Sequence, residues 1–185
     1  KPGVAQIDVP IDVSNEELGA DDMPIPVTAA APLIRSFPDP QLVAKAAALL
    51  RQAERPVLLI GGGAHYSGAG EALMRLVETV HMPVVNSPTS RGVVPETHPM
   101  VLGCAGIIGY EPVGAAIEEA DLVLAIGSRL SDIQTSRGDL LPKDAPIIQV
   151  DIEPAGIGRE YPVEIGIVAD AQGFADALVM ALVAE

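Results

Sequence analysis

The stretch Pro56-Val57-Leu58-Leu59-Ile60-Gly61-Gly62-Gly63 decides the fold class of this chain. A continuous apolar run of this length, bounded by proline and glycine, predicts a strand that is buried on both faces. Such strands are typical of parallel sheets covered by helices. The glycines that follow predict a loop at the strand end, where the backbone can approach a ligand closely.

Further apolar runs of strand length alternate with segments of helical period along the rest of the chain. This alternation predicts βαβ units with right-handed crossovers, and so a three-layer, doubly wound parallel sheet of the Rossmann-like α/β class. Residues 86–110 contain many prolines and glycines and are predicted to form a long loop. The predicted strands are residues 57–60, 83–85, 122–126, 146–150 and 164–168, and the predicted helices are residues 39–55, 69–80, 112–120 and 171–183.

The first 38 residues differ in pattern from the rest. Residues 4–9 alternate apolar and polar side chains before Pro10, which predicts a short strand. Residues 14–38 are rich in Asp, Glu, Pro and Ala and have no sustained period, which predicts a linker. We therefore divide the chain into residues 1–13, 14–38 and 39–185, of which only the last forms the compact domain.

Composition excludes several classes of function. The formal charge of -14 opposes binding to nucleic acid or to anionic membranes. The apolar runs are far shorter than the roughly 20 residues of a membrane span, and no signal-peptide pattern follows Lys1. A single cysteine, Cys104, rules out an internal disulfide and a cysteine-based metal site, so we expect a cytoplasmic protein.

Four predicted strands end in polar or glycine-rich loops, and parallel strands bring their carboxyl ends to one edge of a sheet. At that edge, Arg129 could pair with a phosphate and Asp151 could accept hydrogen bonds from ribose hydroxyls. The glycine run lacks the dinucleotide fingerprint, because Tyr66 stands where the third glycine would be. A tight turn without a ligand is the structural alternative for these glycines.

No residue is predicted to be catalytic or to bind a metal. His65, His81 and His98 are scattered and lack the spacing of paired ligands. Cys104 has no evident neighbouring base and is expected to be a small buried residue.

Three longer motifs, taken in order, carry a family resemblance. They are residues 56–63, residues 91–99 (Arg-Gly-Val-Val-Pro-Glu-Thr-His-Pro) and residues 120–132 (Ala-Asp-Leu-Val-Leu-Ala-Ile-Gly-Ser-Arg-Leu-Ser-Asp). This order resembles the central domain of thiamine-diphosphate-dependent enzymes of the acetolactate synthase type. The resemblance continues through residues 149–154 and 167–171, and residues 2–10 are similar to the last strand of the pyrimidine-binding domain that precedes it.

The resemblance implies a DHS-like NAD/FAD-binding fold within a parent that decarboxylates or joins 2-keto acids. In such a parent, thiamine diphosphate and Mg are held by the flanking domains of a homo-oligomer, and their motifs are absent here. We therefore expect no decarboxylation of pyruvate by this chain alone, and weak FAD or ADP binding at most. The matching cofactor positions are Gly61, Gly62, Gly63, Ser87, Thr89, Gly103, Cys104, Ala105, Gly127, Ser128, Arg129, Asp132, Asp151, Ile152, Asp170 and Ala171.

The pattern also departs from the family. Flavin-containing members carry Gly-Met-x-Gly where this chain has Gly103-Cys104-Ala105-Gly106, whereas Arg129 and Asp132 are kept. Simple decarboxylases of the family keep the fold without a nucleotide, so a supporting or subunit-packing role stays open. A stand-alone module of the electron-transfer flavoprotein type is the alternative function, against which residues 4–9 argue. A sirtuin-like deacylase would need a four-cysteine zinc module and is excluded.

Overall fold

The computed structural model describes residues 6–17, 19 and 35–184. They belong to two units, Lys1–Ile34 and Arg35–Glu185. In the first unit, a single helical turn, α1, spans Ile11–Ser14. Of the strand predicted over residues 4–9, residues 4 and 5 lie outside the described residues, as do residues 18 and 20–34 of the predicted linker. Residues 6–9 are exposed and form no strand, because an extended segment needs neighbouring strands to be stable.

The second unit starts at Arg35, four residues before the predicted boundary at Asp39, and contains six strands and six further helices. The strands are β1 (Pro56–Ile60), β2 (Val84–Asn86), β3 (Val101–Cys104), β4 (Leu122–Ile126), β5 (Ile147–Asp151) and β6 (Ile165–Val168). The helices are α2 (Pro40–Gln52), α3 (Gly62–Ser67), α4 (Gly70–Val80), α5 (Glu111–Glu118), α6 (Asp132–Thr135) and α7 (Ala171–Val183).

All five strand pairings are parallel, and the order across the sheet is β3-β2-β1-β4-β5-β6. This is the order of the doubly wound nucleotide-binding sheet, in which the topology reverses between β1 and β4. The predicted fold class is therefore confirmed. Ligands of such sheets bind outside the carboxyl ends of the strands that flank the reversal.

The sheet is apolar on both faces. Leu58, Ile60, Leu124 and Ile126 lie in one hydrophobic cluster with the inner faces of α2, α4 and α7. Val57 and Leu59 belong to a second cluster with residues of α5. Alternate residues of each central strand thus bury opposite faces, which explains why β1 and β4 lack any polar residue.

Local signals place the helix ends. The Asp39 carboxylate accepts a hydrogen bond from the Gln41 N–H at 2.8 Å and caps α2, with Pro40 in the first turn, as predicted. Helix α7 has the predicted bounds.

Four of these helices and strands were not predicted: α1 in the first unit, and β3, α3 and α6 in the second. Strand β3 lies inside the segment predicted to be a loop. It is a half-exposed edge strand whose Gly103 has a φ of 115°, so it carries neither an apolar run nor alternation. Helices α3 and α6 have six and four residues, too few for a helical period to be recognised.

Candidate functional site

The predicted cofactor residues come from all six strands and gather along one edge of the sheet. Each group follows, or closes, the carboxyl end of its strand. The groups are Gly61, Gly62 and Gly63 after β1; Ser87 and Thr89 after β2; Gly103, Cys104 and Ala105 at β3; Gly127, Ser128, Arg129 and Asp132 after β4; Asp151 and Ile152 at β5; and Asp170 and Ala171 after β6. All of these groups therefore lie along the same edge. They differ in whether their side chains are exposed or already hydrogen-bonded within the chain.

The loops after β1 and β4 are packed backbone to backbone. The Gly63 N–H donates to the Gly127 carbonyl at 2.9 Å, and the Gly127 N–H donates to the Val150 carbonyl at 2.8 Å. A Cβ on Gly61 would lie 2.2 Å from the Gly127 oxygen, and one on Gly127 would lie 2.5 Å from the Ala64 nitrogen. The glycines at this reversal point are thus required by the contact between loops, whether or not a ligand is bound.

The loop after β2 is held by hydroxyl groups. Ser90 Oγ is fully buried and donates to the Ile60 carbonyl at 2.7 Å, while Ser87 Oγ lies 3.0 Å from Ser90 Oγ and 3.1 Å from Thr89 Oγ1. A Cβ on Gly62 would lie 2.8 Å from Thr89 Oγ1, so α3 passes directly beside this loop. Ser87 is buried in this network, whereas Thr89 is exposed.

Asn86, the last residue of β2, has a buried side chain in an unusual environment. It is fully buried, and its Nδ2 and Oδ1 atoms find no hydrogen-bond partner in the part of the chain that the structure describes. Its main chain is satisfied on the β3 side, where Ala105 N–H donates to the Asn86 carbonyl at 3.0 Å. A buried amide without partners carries a desolvation cost of about 1–3 kcal/mol.

At β3, Cys104 and Ala105 are buried, and Gly103 is half-buried. Burial raises the pKa of the Cys104 thiol, and the nearby Arg91 guanidinium only partly opposes that effect. The thiol is therefore held in its neutral form, which is the poorer nucleophile.

After β4, Ser128 is occupied by the fold, whereas its neighbours are open. Ser128 Oγ donates to Gln134 Oε1 at 2.5 Å and accepts from the Leu130 N–H at 3.0 Å. Arg129 is exposed and has no hydrogen-bond or ion-pair partner among the described residues, and Asp132, the first residue of α6, is exposed too.

Arg129 lies beside Asp151. A Cβ built on Gly156 would lie 3.7 Å from Arg129 Cγ and 3.9 Å from Asp151 Cγ, so both side chains border the same small gap. Asp151 Oδ1 accepts a hydrogen bond from the Glu153 N–H at 2.8 Å, while its Oδ2 faces Gly156. The exposed Ile152 adds apolar surface next to this cation and carboxylate.

Asp170 and Ala171 are buried and serve the start of α7. Asp170 Oδ1 accepts from the Gly173 N–H at 3.1 Å and from Arg35 Nη1 at 2.6 Å. Burial alone would raise the pKa of Asp170, but the hydrogen bonds from Gly173, Arg35 and Ser67 outweigh it and lower that pKa. The carboxylate is therefore ionised and already paired.

One polar residue that the sequence reasoning missed also organises this edge. Gln149 of β5 is buried; its Nε2 donates to the Ser128 carbonyl at 3.0 Å, and its Oε1 accepts from the Gly158 N–H at 2.8 Å. Gly156 receives a second Nε2 bond at its carbonyl, 3.2 Å away. The signal available in the sequence was the single polar residue inside the apolar run of β5.

Two cavities among the described residues are lined by none of the predicted cofactor residues. One cavity, of about 750 Å³, runs between α4 and residues 92–96, and another, of about 500 Å³, lies at the amino ends of β5 and β6. Within the described ranges, no cluster of His, Cys, Asp and Glu has metal-binding geometry. No helix in those ranges is both long and apolar enough to cross a membrane.

Comparison with known proteins places this geometry in a family. The family described as "Thiamine pyrophosphate enzyme, central domain" matches residues 43–178. The chain belongs to this family. The match covers the helices and strands from the first turn of α2 into α7, and so includes the whole sheet.

Similar relatives are acetolactate synthases. A probable acetolactate synthase large subunit of Methanocaldococcus jannaschii is 39% identical over 186 residues, which cover 100% of this chain and 32% of that protein. The acetolactate synthase large subunit of Corynebacterium glutamicum is 37% identical, over 93% of this chain and 27% of that protein. An acetolactate synthase of Mycobacterium bovis is 33% identical, over 98% and 29%. The chain spans about a third or less of the length of these relatives.

The glycine contact between loops predicts a steep cost for Gly127→Ala. Gly68 is the matched control, because its φ of 69° is close to the 63° of Gly127 but open space surrounds it. Gly68→Ala should lose only the left-handed strain of about 1–2 kcal/mol, and Gly127→Ala a further ~1–3 kcal/mol from the forced overlap. Urea unfolding followed by circular dichroism measures both, and equal losses would contradict the contact.

The unpartnered amide of Asn86 predicts that Asn86→Val stabilises the fold by about 1 kcal/mol, because two unsatisfied buried groups are removed. The control is Gln149→Leu, which strips an amide whose bonds are all made and should cost ~1–3 kcal/mol. Urea unfolding again gives the free energies. A loss of stability in Asn86→Val would show that a water molecule or a ligand satisfies Asn86 in solution.

Proposed function

We propose that this chain is the nucleotide-holding central domain of an acetolactate synthase-type enzyme, with FAD or ADP bound at the carboxyl edge of the sheet. The observation that carries the proposal is the gap at Gly156, where the exposed Arg129 and the Oδ2 atom of Asp151 lie together. A guanidinium suits a phosphate and a carboxylate suits ribose hydroxyls. The position, outside β4 and β5 and beside the β1–β4 reversal, is where doubly wound sheets take nucleotides.

The residues present fit a nucleotide on the β4 and β5 side of the edge. Arg129 and Asp132 are exposed, Asp151 is half-buried with its Oδ2 toward Gly156, and Gly156 has no side chain to fill the space between Arg129 and Asp151. The exposed Ile152 would cover an apolar ring. Ser87, Ser128 and Asp170, by contrast, already have partners within the chain, so their contribution would be through the backbone or through positioning.

The parent reaction is also part of the proposal. Relatives named as acetolactate synthases match 93–100% of this chain within a longer protein, which supports a parent that decarboxylates a 2-keto acid and transfers the remaining fragment. Thiamine diphosphate, held with Mg between flanking domains of an oligomer, would supply the carbanion for that chemistry. In this cytoplasmic enzyme the present chain would support those domains and perform no step itself.

The alternative, a stand-alone electron-transfer module, is not favoured. The relatives contain this domain together with roughly twice its length or more of further sequence. A supporting role without any nucleotide is the second candidate, because the loop contacts at Gly61, Gly63 and Gly127 are complete without a ligand.

Titration with ADP and with FAD, followed by amide chemical shifts, tests the nucleotide site. We expect shifts concentrated at residues 127–129 and 151–156, with Arg129→Ala weakening the binding roughly tenfold through loss of a charged hydrogen bond. Lys143→Ala is the charge-matched control, since Lys143 is exposed and lies in the loop before β5, at the opposite edge. If no shifts appear, or if both variants weaken binding equally, the chain has only the supporting role.

The role in the parent is tested by turnover. With thiamine diphosphate and Mg, the 185-residue chain should release no carbon dioxide from pyruvate, because none of the residues that the structure describes is placed for that chemistry. The product of the complete reading frame should release carbon dioxide and form acetolactate under the same conditions. Turnover by the chain alone, or a complete protein inactive on every 2-keto acid, would contradict the proposal.

A further inference from the structure

The chain enters the second unit through residues 35–37, which we call the strap. Arg35 Nη1 donates to three acceptors: Asp170 Oδ1 at 2.6 Å, the Ser67 carbonyl at 2.9 Å and Ser67 Oγ at 3.2 Å. The Asp170 side chain is only 9% exposed and the Arg35 side chain 26%. Ion pairs this sheltered are screened less than surface pairs, and truncating one partner leaves a buried charge.

The strap makes two more contacts with the start of α7. The Ser36 carbonyl accepts from the Asp170 N–H at 2.8 Å. The Phe37 ring is 75% exposed but lies against the first turn of the helix, with its Cδ1 3.6 Å from the position of a Cβ on Gly173. Asp170 thus meets the strap through both its side chain and its main chain.

The last residue of α3, Ser67, contacts both Arg35 and the first turn of α7. Ser67 Oγ accepts from the Gln172 N–H at 2.9 Å, which ties the end of α3 to the first turn of α7. The opposite end of α3 is the glycine loop, where Gly63 is bonded to Gly127. The six residues of α3 therefore connect the hydrogen bonds of Ser67 with the loop contact at the β1–β4 reversal.

We propose that the strap is a clamp: Arg35, by holding Asp170 and Ser67 together, fixes α3 against α7 and keeps the glycine loop in register with the loop after β4. Asp170 acts in this clamp as an anchor for the chain. The inference does not depend on which nucleotide, if any, the edge holds.

Limited trypsin digestion of the 185-residue chain tests the clamp. Lys1 and Arg35 are the only basic residues in the first 35, so cleavage after Arg35 gives one fragment beginning at Ser36. Asp170→Asn removes the charge but keeps an oxygen that can cap α7. We expect cleavage after Arg35 to become about tenfold faster, since the guanidinium is freed for the protease. Hydrogen exchange at Gln172 and at the amides of α3 should also quicken.

Two further variants make the result specific. Asp176 also lies in α7, where it forms an exposed ion pair with Arg75 of α4. Asp176→Asn breaks this pair and should leave cleavage after Arg35 unchanged. Ser67→Ala removes only the hydroxyl contacts, leaves the cap of α7 intact, and should accelerate cleavage less than Asp170→Asn; it also serves if Asp170→Asn fails to fold. Wild-type cleavage rates in folded Asp170→Asn or Ser67→Ala would overturn the clamp. Faster cleavage with unchanged exchange in α3 would overturn its hold on the glycine loop.

Discussion

The close approach of the loops after β1 and β4 is the constraint on which the rest of this edge depends. The Gly127 carbonyl accepts from Gly63 while lying where a side chain on Gly61 would be. These strands are neighbours across the reversal of the sheet, so the two halves of the fold meet at this contact. Because these positions carry no side chains, α3 can begin directly against the loop after β4. Its last residue, Ser67, then accepts a hydrogen bond from the first turn of α7.

The edge residues fall into two groups, according to whether their polar groups are used within the fold. Gly61, Gly63 and Gly127 are fixed by backbone packing, while Ser128 and Asp170 have their hydrogen-bonding groups paired within the chain. The second group consists of the exposed Arg129 and Asp132 and the half-buried Asp151, whose Oδ2 lies beside Gly156. In a chain of net charge -14, an unpaired Arg129 is a local exception that could attract an anion against the overall field.

The sequence predicted the fold class because β1 and β4 are apolar without interruption, a pattern that only strands covered on both faces require. It did not predict β3, since a half-exposed edge strand with Gly103 at positive φ has no periodic signal. For the site, the strand order brings the predicted loops to one edge. The sequence did not predict which of their side chains form hydrogen bonds within the chain. Asp170 illustrates this: its partner Arg35 is 135 residues away and lay in a segment predicted to be linker.

The division of the edge also explains how one fold can serve with or without a nucleotide. Apart from the Asn86 amide, the buried polar groups that build the edge have partners among the described residues, so the strand ends keep their arrangement without a ligand to order them. Arg129 and Asp132 are exposed and Asp151 is half-buried, and substitutions at exposed positions usually change stability by less than about 0.5 kcal/mol. A domain of this kind can therefore gain, change or lose its ligand through a few surface residues while the glycine contact and the clamp at Arg35 keep the scaffold unchanged.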